Sequence, residues 1–168
     1  MLKSKRLNLI PLTALQLETG LSSIKQLSME LNIPIIADLM SGVAAEAINK
    51  KLVIMRDLPL ELHPWCTYWL MVDNCDNLAM GLVGFKGVPD ADGSVEIDYG
   101  INSIYQGRGY MTEGVGALVD WAFTHPGCRQ VTAFTLPGNI ASRKVLVKNG
   151  FIEIGSKGEE IEYRKTRD

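Results

Sequence analysis

Apolar residues recur along this chain with two periodicities, one typical of β-strands and the other of α-helices. Alternating or continuous apolar runs predict seven strands, at residues 6–10, 68–72, 79–86, 95–101, 129–136, 151–154 and 161–164. Spacings of three and four residues predict helices over 21–31, 43–52 and 111–123. Thr13 and Asn139 are good N-caps for two shorter helices. The mixture predicts an α/β (α+β) chain.

The order of these elements constrains the sheet. Turn-rich segments separate the three strands between residues 68 and 101, which predicts an antiparallel meander. The strand at 95–101, the helix at 111–123 and the strand at 129–136 follow one another directly, so the two strands are expected to be parallel with a right-handed crossover. Because no linker or repeat interrupts the pattern, we expect one domain over residues 1–168.

The composition narrows the function classes. With 168 residues and 46% hydrophobic content the chain can bury its own core, and a net charge of -2 argues against binding nucleic acid by neutralising phosphates. The three cysteines lack C-x-x-C spacing and the two histidines lie far apart in sequence, so no metal site is predicted. Polar residues interrupt the apolar N-terminus, and no segment has the length of a membrane span. We therefore expect a cytoplasmic protein without a membrane or nucleic-acid partner.

The stretch YQGRGYMTEG, residues 105–114, leads from the strand at 95–101 into the helix at 111–123. Glycine-rich turns before a helix often approach a phosphate with their backbone. A dinucleotide fingerprint requires a third glycine where Thr112 stands, and the Gly-Lys-Ser/Thr run of a P-loop does not occur. Both nucleotide interpretations fail, while a tight turn that holds no ligand stays open on this motif alone.

The motif that survives is Gln106-x-x-Gly109-x-Met111, followed one strand and one helix later by Asn139, Ser142 and the sequence LVKNGF. With it the chain resembles the GNAT superfamily of acyl-CoA N-acyltransferases, most closely over residues 95–151 and in the branch that includes the ribosomal-protein N-terminal acetyltransferases. The resemblance implies a GNAT-like fold: a mixed, mostly antiparallel seven-stranded sheet, helices on both faces, and a central parallel pair splayed at the coenzyme site. It also implies acetyl-CoA as the acyl donor and no metal.

The resemblance assigns a coenzyme site as well. Backbone amides at the mouth of a helix offer partial positive charge to a pyrophosphate, and glycine lets the backbone come close. Arg143, Lys144 and Lys148 are candidates for the 3'-phosphate, with a solvated basic face as the alternative. The coenzyme-binding residues implied are Ile101, Asn102, Gln106, Gly107, Arg108, Gly109, Tyr110, Met111, Thr112, Asn139, Ser142 and Arg143.

The chemistry implied is direct attack of an amine on the thioester, with proton removal and an oxyanion donor. The donor is expected to be a backbone N–H within residues 100–102. Glu96 lies where many family members carry the base, and Asp98, on the same strand face, is the second candidate; ordinary solvated carboxylates are the alternative. Leu146 stands where the family usually has a tyrosine as general acid. Ser142, a bound water or unaided thiolate departure are the alternatives for that role.

The acceptor is the least constrained part of the prediction. A protein N-terminus and a small-molecule amine such as a polyamine, an amino acid or an antibiotic are both compatible with the motifs, and a coenzyme-binding module without catalysis is the alternative from another class. We expect residues 33–42 and the turn GSKGEE, residues 155–160, to line the acceptor cleft. The chain is expected to be a monomer or a homodimer.

Overall fold

A computed structural model describes residues 1–167, and in that range the chain forms eight strands and five α-helices. The strands are β1 (Leu2–Lys3), β2 (Leu7–Pro11), β3 (Tyr68–Asp73), β4 (Ala79–Phe85), β5 (Ser94–Ile101), β6 (Gln130–Thr135), β7 (Ile152–Lys157) and β8 (Glu160–Thr166). The helices are α1 (Ala14–Ser22), α2 (Ile24–Leu31), α3 (Val43–Arg56), α4 (Tyr110–Phe123) and α5 (Ile140–Lys148), with short 3-10 helices at Leu60–Trp65 and Ser103–Tyr105.

The strands form one sheet in the order β1-β2-β3-β4-β5-β6-β8-β7. All neighbouring strands are antiparallel except β5 and β6, which are parallel. The predicted mixed, mostly antiparallel sheet with a central parallel pair is therefore confirmed. Its count of seven strands is low by one, because the two residues of β1, which pair with Leu9 and Asn8, are too few to give a periodic signal.

The parallel pair separates along its length. β5 pairs with β6 only over Ser94–Glu96, opposite Gln130–Thr132. Beyond that point β5 continues to Ile101 alongside β4, whereas β6 continues to Thr135 alongside β8. The two strands consequently diverge towards their carboxyl ends, and a wedge opens in the middle of the sheet.

Helices cover both faces of the sheet, as predicted. Every residue of β3 and β4 is buried, which requires cover on each side. On one face α4 packs so closely that a Cβ added to Gly114 would lie 2.8 Å from Cε of Met71. On the other face α3 brings Lys51 over the ring of Tyr68.

The helix predicted over 21–31 begins at Ile24, and residues 21 and 22 belong to the preceding helix, which was predicted from its cap at Thr13. Ser23 has an extended backbone with φ of -161°, and its hydroxyl accepts a hydrogen bond from the amide of Gln26, so that it ends α1 and caps α2. α1 begins after Thr13, which forms a capping box with Gln16. No helix within residues 1–167 is both long enough and apolar enough to span a membrane.

Candidate active site

Two cavities meet at the wedge. The loop cavity, of about 580 Å³, is lined by the glycine-rich loop, by the first turn of α4 and by one side of α5 along its whole length. The α3 cavity, of about 800 Å³, lies on the side of α3. The residues that line both are Tyr99, Gly100, Ile101 and Gln106, so the end of β5 forms a shared wall.

The glycine-rich loop presents backbone amides to the loop cavity. Gly107 and Gly109 have φ of 74° and 79°, a left-handed conformation that glycine adopts without strain. Gly109 is the N-cap of α4 and provides no side-chain cap, so the first amides of the helix have no intrahelical acceptor. Within the described chain, no acceptor is found for the amides of residues 107–112. Together with the helix dipole, this arrangement fits an anionic group such as a pyrophosphate.

An ion pair between Arg6 and Glu113 supports the glycine-rich loop. The Glu113 carboxylate accepts hydrogen bonds from the amide of Arg6 at 2.6 Å, from Nε of Arg6 at 2.7 Å and from Oγ of Ser4 at 2.7 Å. Arg6 also donates to the carbonyl of Arg108 at 3.0 Å and lies over the ring of Tyr110, 4.4 Å from its centre. Burial alone would raise the pKa of Glu113, but the hydrogen bonds from Arg6 and Ser4 lower it below its usual value.

The α5 side of the loop cavity contains only some of the predicted residues. Asn139 caps α5, with Oδ1 accepting from the amide of Ser142 at 3.1 Å, and both line the cavity. Lys144 and Lys148 line it as well. Arg143 points away: its Nε donates to the hydroxyl of Tyr163 at 3.0 Å, on β8.

Two further predicted residues lie beside the loop cavity. The guanidinium of Arg108 lies over the ring of Tyr105, 5.4 Å from its centre, and Arg108 is not among the cavity-lining residues found in the described chain. Asn102 lines the α3 cavity instead, where its Nδ2 donates to Oδ1 of Asp38 at 3.0 Å. The other predicted coenzyme residues, Ile101, Gln106, Gly107, Gly109, Tyr110, Met111 and Thr112, all line the loop cavity.

Tyr99 links β5 to α5. Its hydroxyl lies 2.9 Å from Oγ of Ser142, and either group can be the donor. Burial raises the pKa of Tyr99 to about 12, although the hydrogen bond with Ser142 opposes the shift. Leu146, one turn further along α5, is fully buried in the core.

The two candidate carboxylates on β5 have different surroundings. Glu96 forms an ion pair with Lys86 and, among the described residues, lines neither cavity, although Lys86 lines the α3 cavity. Asp98 lines the α3 cavity, with Oδ1 2.9 Å from Nζ of Lys51 and Oδ2 2.5 Å from the hydroxyl of Tyr68. Only the second carboxylate is therefore in direct contact with a cavity.

The cluster of Lys51, Asp98 and Tyr68 depends on a glycine. Tyr68 and Asp98 stand in the same row of the sheet, with Gly84 of β4 between them. A Cβ at Gly84 would lie 3.1 Å from the Tyr68 ring, so the missing side chain leaves room for the ring to reach Asp98. Lys51, with its side chain 3% exposed, also donates to the carbonyl of Phe85 at 2.6 Å.

Burial in this cluster shifts the pKa values of Lys51 and Tyr68. Burial lowers the pKa of Lys51, although Asp98 opposes the shift. Burial, followed by the charge of Asp98, raises the pKa of Tyr68. Sequence analysis missed this cluster because Lys51 and Tyr68 are far from β5 along the chain and carry no motif.

The walls of the α3 cavity differ in part from the predicted acceptor cleft. Asp38 and Leu39, within the predicted segment 33–42, contribute to it, but much of the wall comes from α3. The turn at 155–160 does not line it in the described chain, because this turn joins β7 and β8, which lie beyond β6 at the far side of the sheet. Over residues 1–167, no group of three or more His, Cys, Asp or Glu residues is arranged to hold a metal ion.

Comparison with known proteins assigns the family. The family model for the acetyltransferase (GNAT) domain matches residues 21–152. An uncharacterised N-acetyltransferase of Bacillus subtilis, YjdG, is 33% identical to this chain over 95 residues, which make up 56% of this chain and 56% of that protein. The chain belongs to the GNAT acetyltransferase family.

Solved structures share the fold. Ribosomal-protein-S5-alanine acetyltransferase from Vibrio fischeri has a TM-score of 0.69 at 20% identity, over 99% of this chain and 96% of that one. Aminoglycoside acetyltransferase AAC(6')-Ib, in complex with coenzyme A, has a TM-score of 0.63 at 17% identity, over 96% of this chain and 95% of that one. Among the curated relatives, the chain spans about half of the length of each protein that it matches. The names of these two structures cover both protein and small-molecule acceptors.

Proposed function

We propose that this chain transfers an acetyl group from acetyl-CoA to a primary amine, by direct attack of the amine in a ternary complex. The observation that carries the proposal is the pair of cavities that share one wall at the splayed end of β5. An acetyl donor bound in one cavity and an amine bound in the other can meet beside these shared residues and react without a covalent enzyme intermediate.

The loop cavity is the proposed site of acetyl-CoA. The amides of residues 107–112 would bind the pyrophosphate, and their left-handed glycines allow the backbone to approach it. Lys144 and Lys148 line the same cavity and are better placed than Arg143 for the 3'-phosphate. Asn139 and Ser142 would contact the pantetheine arm.

Ile101 is the proposed oxyanion donor. The amide of Asn102 donates to the carbonyl of Met80 on β4, and the carbonyl of Glu96 accepts from the amide of Lys86, directly after β4. Backbone groups alternate in direction along a strand, so the amide of Ile101 is directed towards the wedge. A preorganised N–H in a site shielded from water stabilises the charge that develops on the thioester oxygen.

A carboxylate on β5 is the proposed base for the amine. Glu96 is the first candidate by resemblance, but Asp98 is the carboxylate that lines the α3 cavity. The geometry therefore favours Asp98, with Glu96 acting only if a water or Lys86 connects it to the acceptor.

The acceptor is the finer part of the proposal. The α3 cavity is lined by three carboxylates, Asp38, Glu46 and Asp98, and by three lysines, Lys50, Lys51 and Lys86, so it has no strong preference for a cation or an anion. Its volume of about 800 Å³ suits a small amine or the first residues of a peptide. Both a protein N-terminus and a small-molecule amine therefore remain acceptor classes to test.

An assay of thiol release from acetyl-CoA tests the function. The purified chain would be incubated with amines, polyamines, aminoglycosides and peptides with free N-termini, and the acetylated product identified by mass spectrometry. We expect acceptor-dependent release of coenzyme A. Release without any amine would indicate only hydrolysis, and saturable binding of acetyl-CoA without turnover on any acceptor would support the non-catalytic module instead.

A further inference from the structure

We propose that the phenol of Tyr99, positioned by Ser142, is the hydrogen-bond donor to the coenzyme sulfur as it leaves. The inference rests on the proposed acetyl transfer and deepens it. Leu146 is apolar and buried where a donor is implied by the family resemblance, so the leaving thiolate needs a donor from elsewhere in the site.

Tyr99 lies where the thioester must react. The acetyl group is transferred where the two cavities meet, beside the residues that line both cavities: Tyr99, Gly100, Ile101 and Gln106. Two of these residues have polar side chains. Gln106 is exposed on the loop, whereas Tyr99 is half-buried and its hydroxyl contacts Ser142 of α5, which also lines the loop cavity.

The phenol reaches α5 close to the position of the missing group. Ser142 and Leu146 are four residues apart on α5 and therefore lie on the same face of the helix, one turn from each other. The contact of 2.9 Å between the Tyr99 hydroxyl and Oγ of Ser142 places the phenol one turn before Leu146. A phenol supplied by β5 thus lies beside α5, one turn from the position of the missing tyrosine.

The bonding around Tyr99 suits a donor. Because burial raises the pKa of Tyr99 to about 12, the phenol stays protonated at neutral pH. The hydroxyl also donates to the carbonyl of Ser142, in a long contact of 3.4 Å. When the Ser142 hydroxyl donates to the phenol oxygen, the phenol proton can turn from that carbonyl to the sulfur. In the step, the amine nitrogen bonds to the acetyl carbon, the carbon–sulfur bond breaks with its electron pair on sulfur, and the amine proton goes to the β5 carboxylate. The sulfur accepts the hydrogen bond from Tyr99 and takes a proton from solvent as coenzyme A leaves.

A fluorine label tests the contact without turnover. Tyr99→3-fluorotyrosine places a fluorine-19 nucleus next to the hydroxyl, and coenzyme A should shift its resonance. Desulfo-coenzyme A, which lacks the sulfur, should bind but give a clearly smaller shift. Equal shifts from the two ligands would overturn the inference.

Kinetics test the contribution to rate. Tyr99→Phe should lower kcat roughly 10- to 100-fold, the amount expected for one hydrogen bond to a charged group, and change KM for acetyl-CoA less than about twofold. Ser142→Ala should lower kcat less, because the phenol remains. Tyr163→Phe, which removes a hydroxyl from β8 outside both cavities, is the matched control for kcat and should keep the wild-type kcat; its KM is not compared, because this hydroxyl also accepts from Arg143.

The alternatives give different results. Full activity of folded Tyr99→Phe would overturn the inference. A larger loss of kcat in Ser142→Ala than in Tyr99→Phe would also overturn it, and would assign the donor to Ser142. If the wild-type chain acetylates no amine, the proposed function fails, and the fluorine comparison alone then decides whether Tyr99 meets the sulfur.

Discussion

Glu96 and Asp98 occupy the same face of β5, yet their neighbours differ in a way that separates their roles. Asp98→Asn should lower kcat by about 100-fold or more, as expected for loss of a general base, whereas Glu96→Gln should lower it less than about tenfold. The reason is that Asp98 lines the α3 cavity and Glu96 does not. Steady-state kinetics across the pH range would measure both.

Asp98→Asn needs a control for stability. The substitution leaves the buried Lys51 without its partner, which typically costs about 3–5 kcal/mol. In the double variant Lys51→Met/Asp98→Asn the unpaired charge is absent, so the free energy of unfolding should recover while kcat stays low. Recovery of kcat in the double variant would show that Asp98 acts only through packing.

The sequence predicted these carboxylates but not their partners. Period-two alternation along residues 95–101 was sufficient to assign Glu96 and Asp98 to one face, because strand geometry is local. Lys51 is 47 residues from Asp98, and it becomes buried only when α3 packs on the sheet. Arg143 illustrates the same limit, since helical position does not determine that its guanidinium turns to Tyr163.

At the scale of elements, the loop before α4 is the part best predicted from sequence. A motif that requires close backbone approach demands glycine at defined positions, and Gly107 and Gly109 have the positive φ expected of such a loop. The boundary between α1 and α2 was predicted before Leu21, whereas it lies at Ser23, because an N-cap inside an apolar periodicity of 3.6 residues does not interrupt the pattern. The role of Arg6 in holding the loop was missed because it depends on contact between β2 and α4.

Gly109→Trp should abolish binding of acetyl-CoA by filling the space that the backbone amides need. Gly158→Trp is the matched control, since Gly158 also has a positive φ, of 61°, but lies in the turn between β7 and β8, with nothing within 4 Å of an added Cβ. Both substitutions impose similar backbone strain, of about 1–3 kcal/mol. Calorimetry should detect binding to the second variant only; binding to both would place the coenzyme elsewhere.

At the scale of the whole molecule, the hydrogen bonds of Glu113 connect the N-terminal segment to α4. Because Glu113 titrates, the stability that they contribute depends on pH. The folded state lowers the pKa of Glu113 below its ordinary value of 4.5. The stabilisation is therefore complete at pH values above 4.5 and is lost as the pH falls through the lower folded-state pKa.

Glu113→Gln should lower the free energy of unfolding at pH 7 by about 1–3 kcal/mol, and the difference from wild type should narrow as the pH falls below 4.5. Urea unfolding at several pH values would measure this. Glu18→Gln, at an exposed position on α1, removes a carboxylate without these contacts and should be neutral. A difference for Glu113→Gln that does not vary with pH would contradict the assignment.

The wedge in the sheet also has a mechanical consequence. In the described part of the chain, strands β1 to β5 and strands β6 to β8 are joined within the sheet by only three residue pairs, Ser94–Glu96 with Gln130–Thr132. Such a short seam is a natural hinge line, and the odd-numbered backbone groups of β5 beyond it form an internal strand edge. A molecule that hydrogen-bonds along this edge would restrict movement of the two half-sheets relative to each other. Occupation of the site would therefore make the whole protein more rigid.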